Sequence, residues 1–200
     1  MNYSLQRLVS LFFLLLTSPI FLVVWLAIKL EDKGSMFFRQ KRTGKNKKPL
    51  LMYKFRTMIE GAEELQKKYL NLNEASGPVF KIREDPRFTK VGRFLSHTGL
   101  DELPQLINII KGEMALVGPR PLPEVEAKKV PKKYQKRFSV LPGATSLWVI
   151  KGSHRLTFDE WMRLDLEYLK KKSLILDFKV LALTGLIVLK GFILQLFPKK

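Results

Sequence analysis

Residues 97–121 read HTGLDELPQLINIIKGEMALVGPRP, and this stretch decides the fold. Apolar side chains recur in it at helical spacing, and Gly112 stands where the C-terminal cap of a helix is expected. Pro104 is tolerated only in the first turn of a helix, because proline has no backbone N–H to donate. The pattern therefore predicts a helix that begins near Asp101 and Glu102. The apolar positions are Leu100, Leu103, Leu106, Ile107 and Ile110.

The same stretch holds candidate functional groups. Asp101 and Glu102 would lie where unpaired N–H groups and the helix dipole favour negative charge, so we expect both carboxylates to be ionised at neutral pH. Downstream, Arg120 stands between two prolines that restrict its backbone. Paired carboxylates can hold a hard cation and an arginine can grip phosphate oxygens, which indicates a phosphate-handling site. The alternatives are a helix-capping pair and an ordinary turn.

The composition narrows the classes of partner. The 200 residues are about one domain by length, and Lys and Arg number 36 against 18 Asp and Glu, for a formal charge of +18. This balance predicts a polyanionic partner: nucleic acid, an anionic membrane surface or a phosphorylated substrate. The chain has no cysteine, which excludes a disulfide framework, a thiolate nucleophile and a cysteine metal site.

An apolar N-terminal segment favours the membrane among these partners. Residues 8–28 contain no charged side chain and would reach about 31 Å as a helix, close to a bilayer core of roughly 30 Å. Ser18 and Pro19 interrupt the segment, since proline removes a helical hydrogen bond. We therefore predict a membrane-inserted re-entrant helix pair in residues 1–33, with a second unit in residues 34–200. A cleaved signal peptide and a straight, proline-kinked span are the alternatives.

A β-hairpin is predicted after this segment. Residues 36–40 and 50–58 are strand-like, and the polar run 43–49 between them contains a glycine. Alternation along the second strand places Lys54 and Arg56 on one face. That face is either part of a binding site or a solvated outer surface.

The remaining segments predict mostly helix. Residues 60–72 favour a helix, and residues 79–82 favour a short strand. The basic stretch after Pro121 favours two short helices, which lie either against anionic headgroups or in solvent. Residues 174–197 have too short an uncharged core to span a bilayer, which favours an interfacial helix. The fold class is therefore α+β and mostly helical: a re-entrant helix pair, a small β-hairpin and amphipathic interfacial helices around a compact domain.

Taken together, the motifs closely resemble those of the bacterial sugar transferase family, the monotopic phosphoglycosyl transferases. The hairpin motifs and the Ser18-Pro19 kink are similar to the family's as well. The matching segments are RQKRTG at residues 39–44, YKFRTM at 53–58, RFL at 93–95, LDELPQL at 100–106, Asn108, KGEM at 111–114, VGPRP at 117–121 and PGAT at 142–145.

The resemblance implies an enzyme that moves a sugar 1-phosphate from a UDP-sugar to a polyprenol phosphate such as undecaprenyl phosphate. Asp101 would be the nucleophile that forms a covalent phosphosugar intermediate, and the Asp101–Glu102 dyad would hold Mg²⁺, with Glu102 as its main ligand. Residues 34–200 would be the catalytic domain on the cytoplasmic face of the bacterial inner membrane. The phosphate and nucleotide ligands implied are Lys54, Arg93, Arg120, Arg42 and Asp165.

Two positions depart from the family pattern, and two other functions stay open. Val149 and Ser153 replace a glutamine and an arginine, so Lys151 or Arg155 supplies the missing cation or recognition of the substrate has changed. Asp165 is either a site residue or paired with a basic side chain at the surface. The alternatives to the enzyme are a basic membrane scaffold, in which the dyad is only a helix cap, and a nucleic-acid-binding membrane protein; the enzyme hypothesis expects no nucleic-acid partner.

Overall fold

The computed structural model describes residues 2–152 and 156–197. Within these ranges the chain forms helices, short strands and four 3-10 segments. The helices are α1 (Tyr3–Leu16), α2 (Ser18–Asp32), α3 (Lys90–Thr98), α4 (Gln105–Lys111), α5 (Glu124–Lys128), α6 (Leu147–Ile150), α7 (Phe158–Lys171) and α8 (Leu174–Leu196). The strands are β1 (Phe37–Thr43), β2 (Pro49–Phe55), β3 (Ala115–Val117), β4 (Leu122–Pro123) and β5 (Gly143–Thr145). The 3-10 segments are Lys45–Lys47, Glu64–Leu72, Leu100–Glu102 and Lys132–Ser139.

The N-terminal helices α1 and α2 meet at a bend of 56° around Thr17. Pro19 has no N–H to donate to the carbonyl of Leu15, and the Ser18 hydroxyl donates to that oxygen instead, at 2.8 Å. The serine thus satisfies the acceptor that the proline leaves open. Among the described helices, no single one has the length and apolar content to cross a bilayer, whereas α1 and α2 reach that threshold together.

The predicted hairpin is confirmed. Strands β1 and β2 pair antiparallel, with Arg39 opposite Tyr53, and β4 adds a third strand through the pairing of Arg42 with Pro123. A separate parallel pair joins β3 to β5, with Ala115 opposite Gly143. The two pairings bring the segment after β3, which contains Arg120, against the hairpin.

Two apolar clusters support these elements. The larger one packs α7 and α6 against β3, and the rings of Trp148 and Trp161 stack in it with centroids 4.6 Å apart. The smaller one packs one face of α2, through Val24 and Ile28, against Phe55 and Leu95. The second helix of the bent pair is therefore attached to the strand and the helix that lead into the candidate site.

Two acidic side chains at the end of α2 strengthen this attachment. The Glu31 carboxylate accepts hydrogen bonds from the backbone N–H groups of Lys90, at 2.6 Å, and Val91, at 3.0 Å, and so caps the start of α3. Asp32 forms a bidentate ion pair with the buried Arg56, whose Nη1 lies 2.6 Å from Oδ2. One helix end is thereby bonded both to α3 and to the residue that follows β2.

Several details differ from the sequence predictions. Helix α4 begins at Gln105 rather than at the dyad, because Leu100–Glu102 forms a separate 3-10 turn. Residues 79–82 form no strand, and the helix expected over residues 60–72 is a 3-10 segment over Glu64–Leu72. The two short helices after Pro121 are present, as α5 and Lys132–Ser139. The mostly helical α+β class is confirmed, whereas the boundary at residue 33 stays a prediction.

Candidate active site

The two carboxylates of the dyad lie in a sharp turn between two helices. Helix α3 ends at Thr98, and Gly99 reverses the chain with φ of +76°, a conformation that glycine adopts without steric cost. The following 3-10 turn directs Asp101 inward, where the residue is only 6% exposed. Glu102 is adjacent and more accessible, with a quarter of its side chain exposed. Two acidic groups are thus held together at the surface of the core.

Lys54 connects the two carboxylates. Its Nζ lies 2.9 Å from Asp101 Oδ2 and 2.9 Å from Glu102 Oε1. The lysine belongs to β2, which is rigid because it pairs with β1 along its whole length. Of the two cations predicted on one face, only Lys54 reaches the dyad, since Arg56 turns to Asp32.

Arg120 also forms an ion pair with Glu102. Its Nη1 donates to Glu102 Oε2 at 2.8 Å and its Nη2 donates to Oε1, a bidentate pair. The backbone of this segment is held as well: the Arg120 carbonyl accepts from Arg137 Nη2 at 2.7 Å, and the Pro119 carbonyl accepts from the N–H of Gly143 at 2.9 Å. The guanidinium is therefore aimed by its loop, as the flanking prolines predict.

The two carboxyl groups have opposite pKa shifts. Burial raises the pKa of Asp101 above its usual value, and the charge of Lys54 only partly offsets this effect. Burial acts on Glu102 in the same direction, but the charges and hydrogen bonds of Arg120 and Lys54 outweigh it and hold the pKa of Glu102 well below its usual range. The ionisation of both carboxylates at neutral pH stays a prediction. The pKa of each group is set by burial and by neighbouring cations and not by a helix start, since α4 begins only at Gln105.

Arg42 lies beside the loop that carries Arg120, here called the arginine loop, and among the described residues it does not contact the dyad. Its Nη1 donates to the Pro121 carbonyl at 3.4 Å and its Nη2 donates to the Gln40 side chain. Burial, followed by the positive charge of Arg120, lowers the pKa of Arg42 to about 10. Arg42 therefore adds positive charge next to Arg120 while its own fork stays in contact with the protein.

The sequence analysis missed Lys81. Its side chain is partly buried, and burial, followed by the charge of Arg120, lowers its pKa to about 8, while Glu102 acts in the opposite direction. The backbone of Lys81 is fixed at both ends, since its N–H donates to Asn73 Oδ1 at 2.8 Å and its carbonyl accepts from the N–H of Glu74 at 2.9 Å. No periodic pattern marks this loop residue, which is why only a short strand is predicted here from the sequence.

Two other predicted ligands lie elsewhere. Arg93 is more than half exposed on α3 and forms its ion pair with Glu84, with Nε 3.8 Å from Oε2; in the part of the chain that the structure describes it contacts neither carboxylate of the dyad. Asp165 is fully buried on α7, where it accepts hydrogen bonds from Arg137 Nε at 2.8 Å and from Trp148 Nε1 at 3.1 Å. Because Arg137 also holds the Arg120 carbonyl, Asp165 supports the arginine loop from behind and does not line the site.

The positions that depart from the family pattern are only partly described. Val149 packs against the larger apolar cluster, and Lys151 is exposed. Ser153 and Arg155 lie outside the described residues, so the choice between Lys151 and Arg155 as a substitute cation stays open. The Pro-Gly turn before them is in place, because Gly143 makes the close backbone contact with Pro119.

The dyad offers a partial set of magnesium ligands. No group of three or more His, Cys, Asp or Glu side chains within residues 2–152 and 156–197 is arranged to hold a metal ion. Mg²⁺ is commonly held by one or two carboxylates together with substrate phosphates and water, and the dyad supplies this smaller set. The residues therefore fit a Mg²⁺ that is completed by a phosphorylated substrate.

As an arrangement, the site suits transfer of a phosphoryl-linked group. A buried carboxylate of raised pKa faces several fixed cations, and a second carboxylate is available as a metal ligand. The profile of the bacterial sugar transferase family matches residues 1–191. The chain therefore belongs to the bacterial sugar transferase family, and the transferase predicted from its motifs is confirmed at the level of the family.

Individual relatives agree with this assignment. The chain is 42% identical over 162 residues to the galactosyl transferase CpsE of Streptococcus agalactiae, which covers 80% of this chain and 36% of the relative. It is 36% identical over 178 residues to the exopolysaccharide production protein ExoY of Sinorhizobium fredii, a match that covers 87% of this chain and 79% of the relative. It is 37% identical over 188 residues to the UDP-glucose:undecaprenyl-phosphate glucose-1-phosphate transferase of Escherichia coli, a match that covers 90% of this chain and 38% of the relative. The chain thus spans well under half of two of these relatives.

Proposed function

We propose that this protein transfers a sugar 1-phosphate from a UDP-sugar to a polyprenol phosphate, as a first membrane step in building a polysaccharide or other glycoconjugate. The observation that carries the proposal is the cluster of Asp101, Lys54, Glu102 and Arg120, in which a buried carboxylate is adjacent to cations of fixed position. The relative from E. coli is named for this reaction with glucose.

In the first step, a carboxylate oxygen of Asp101 attacks the phosphorus nearest the sugar. The bond between that phosphorus and the bridging oxygen breaks, uridine monophosphate leaves with the electron pair, and an aspartyl phosphosugar remains. A carboxylate is a weak nucleophile, so the substrate must be held in line with it. Burial favours the attack, because an ionised carboxylate of raised pKa is less solvated and more basic.

In the second step, a phosphate oxygen of the polyprenol phosphate attacks the same phosphorus. The bond to Asp101 breaks, the free carboxylate is regenerated, and the product is a polyprenyl diphosphosugar. Both half-reactions use Asp101, as the nucleophile in the first and as the leaving group in the second, and one phosphate pocket. This accounts for a single dyad being sufficient for two substrates.

The cations stabilise the charge that moves through these steps. Lys54 and Arg120 are the groups in contact with the dyad, so we assign them to the phosphate oxygens of the bound diphosphate. Substrate phosphates would compete with the carboxylates for these donors. Lys81 and Arg42 act at longer range, since the charge of Arg120 lowers the pKa of each of them. Arg93 and Asp165 receive no direct role, given their positions.

A bound Mg²⁺ would be held by the Asp101–Glu102 dyad, chiefly by Glu102, together with the diphosphate of the substrate. When bound, it neutralises diphosphate charge and stabilises the leaving phosphate. Before the diphosphate binds, Arg120 orients Glu102, since its bidentate contact fixes the plane of that carboxylate.

The bent helix pair gives the reaction its location. We place α1 and α2 as a re-entrant pair in the cytoplasmic leaflet of the bacterial inner membrane, with the dyad at headgroup level. Exposed apolar side chains along α1 support this placement, as do the 56° bend and the Ser18 hydroxyl that satisfies the Leu15 carbonyl. A polyprenol phosphate can then present its phosphate while its chain stays in lipid.

The decisive experiment is intact-protein mass spectrometry of the detergent-solubilised protein incubated with Mg²⁺ and a panel of UDP-sugars, without polyprenol phosphate. We expect the mass of one sugar phosphate to be added, and the sugar that reacts identifies the donor. The Asp101→Asn variant should stay folded and form no adduct, while Asp159→Asn, the same change at a partly exposed aspartate outside the site, should react normally.

Two outcomes would overturn the proposal. Turnover of Asp101→Asn at a rate near that of the wild type would exclude covalent catalysis by this residue. Absence of released uridine monophosphate from every sugar tested, with and without the lipid, would favour the scaffold, in which the dyad only shapes a turn. Salt-sensitive nucleic-acid binding that Asp101→Asn leaves intact would favour the remaining alternative.

A further inference from the structure

A cavity of about 230 Å³ lies beneath the start of α1, apart from the dyad. Its apolar floor is formed by Ile109, Met114 and Leu141, and two cations, Arg7 and Lys45, line it together with Tyr3. No carboxylate is among the lining residues. The cavity therefore combines an apolar surface with uncompensated positive charge.

Both cations are available to a ligand. Within the described ranges, neither the Arg7 guanidinium nor the Lys45 ammonium has an ion pair or a side-chain hydrogen bond. The Arg7 guanidinium lies directly against Gly112, which has no side chain to displace it. A third cation is close by, since Lys172 Nζ lies 5.5 Å from the centre of the Tyr3 ring.

The cavity is separated from the reacting phosphates by α4. The dyad lies just before this helix, whereas Gly112 follows it directly. A seven-residue helix is about 10 Å long, so a phosphate bound at Arg7 is not the phosphate that Asp101 attacks. A ligand in this cavity must serve another purpose.

The surface next to Arg7 indicates the rest of the ligand. One residue further along α1 begins a series of exposed apolar side chains, in which Leu8, Phe12 and Leu15 are each more than 60% exposed. A ligand that contacts both features has an anionic head and a hydrocarbon tail. A zwitterionic head would bring its own ammonium group towards two cations with no acid between them, which is unfavourable.

We propose that this cavity binds the phosphate headgroup of an anionic phospholipid between Arg7 and Lys45, with the acyl chains along α1. The site would hold the first turns of α1 at the bilayer surface. The inference goes beyond the transferase activity and does not depend on it, because none of these residues contacts the dyad.

The test is native mass spectrometry of the detergent-solubilised protein titrated with phosphatidylglycerol or with phosphatidylcholine of the same acyl chains. We expect one phosphatidylglycerol to be retained and phosphatidylcholine to bind at least tenfold more weakly. The double variant Arg7→Gln, Lys45→Gln should lose the retained lipid. Leu141→Trp, which fills the cavity and keeps both cations, should lose it as well.

The matched control is Lys132→Gln, Lys136→Gln, which removes the same charge from an exposed basic segment and should bind like the wild type. A Tm equal to that of the wild type, measured for each variant, reports that the domain is folded. Equal loss in the control would mean diffuse charge attraction, and equal binding of phosphatidylcholine would exclude headgroup selection. Equal occupancy by inorganic phosphate, or displacement by polyprenol phosphate, would assign the cavity to another ligand; each of these results overturns the proposal.

Discussion

At the scale of single residues, the most informative feature is a lysine that contacts both carboxylates of the dyad. Adjacent aspartate and glutamate side chains would titrate together in water, but here their pKa values move apart, Asp101 upwards and Glu102 downwards. Burial raises the pKa of Asp101, whereas the charges and hydrogen bonds of Arg120 and Lys54 lower the pKa of Glu102. One carboxyl group is prepared for reaction, and the other is kept ionised over the whole physiological range.

Lys81 supplies a pH-dependent charge at the same site. Because its pKa is lowered to about 8, it loses its proton as the pH rises through that value, and the positive charge near Arg120 decreases. We expect the rate of adduct formation to fall on the alkaline side with a midpoint near pH 8. Lys81→Arg, which keeps the charge, should move this midpoint upwards, and Lys81→Met should lower the rate about 100-fold and remove the midpoint.

The control for this prediction is Lys67→Met, at an exposed lysine on the same domain, which should leave the pH profile unchanged. An alkaline midpoint that persists in Lys81→Met would assign the titration to a different group.

At the scale of elements, a buried ion pair joins α7 to the arginine loop. Arg137 contacts Asp165 on one side and the Arg120 carbonyl on the other, and both side chains are almost completely buried. Asp165→Asn would leave the Arg137 charge without its counter-charge. We expect a loss of about 3–5 kcal/mol in the free energy of unfolding, measured as a lower Tm and denaturation midpoint.

Asp159→Asn is the matched comparison on the same helix, because that carboxylate is exposed, and it should change stability by less than about 1 kcal/mol. If Asp165 were instead a substrate ligand, its variant would raise KM and leave the Tm unchanged.

The bend between α1 and α2 allows a topological prediction. Replacing Ser18 and Pro19 by alanine restores the helical N–H to the Leu15 carbonyl, so we expect a straight helix that carries the N-terminus across the bilayer. The chain has no native cysteine, so a Ser4→Cys reporter can be labelled selectively in membrane vesicles. A Lys67→Cys reporter on the catalytic domain should keep its accessibility. An unchanged Ser4→Cys signal would mean that the proline does not determine the topology.

Features that depend on neighbouring residues in the sequence were predicted well. Features that depend on contacts between distant residues were not. The helix stop at Gly112 depends on neighbouring residues, and it is present in the structure. The proline-flanked Arg120 and the strand residue Lys54 were also assigned correctly to the neighbourhood of the dyad. Of the two possibilities for Asp165, the structure shows pairing with a basic side chain, Arg137, although in the interior and not at the surface, because a motif indicates that a residue is needed without indicating its partner.

Arg93 illustrates the same limit, since eight residues of separation from Asp101 do not determine the direction of a side chain on α3. The start of α4 was predicted three residues too early because a 3-10 turn satisfies the same apolar spacing.

At the scale of the whole molecule, two separate groups of cations stand out among the 36 lysines and arginines of the chain. One surrounds the dyad, and the other faces the cavity beneath α1, with α4 between them. A soluble phosphate-binding enzyme would need only the first region. The second region, next to exposed apolar side chains, fits the phospholipid site that we propose.

The end of α2 has a further consequence, because Glu31 holds the start of α3 and Asp32 holds Arg56, next to the strand that carries Lys54. Hydrophobic mismatch changes the tilt of membrane helices. A change in acyl-chain length that tilts α2 would therefore shift the start of α3 and the end of β2 together, and these two elements hold the dyad and Lys54. Displacements of about 1 Å can cost 100-fold in rate. We expect turnover in nanodiscs to peak at one lipid length, and Asp32→Asn to flatten that dependence, which would make bilayer thickness a physical regulator of the enzyme.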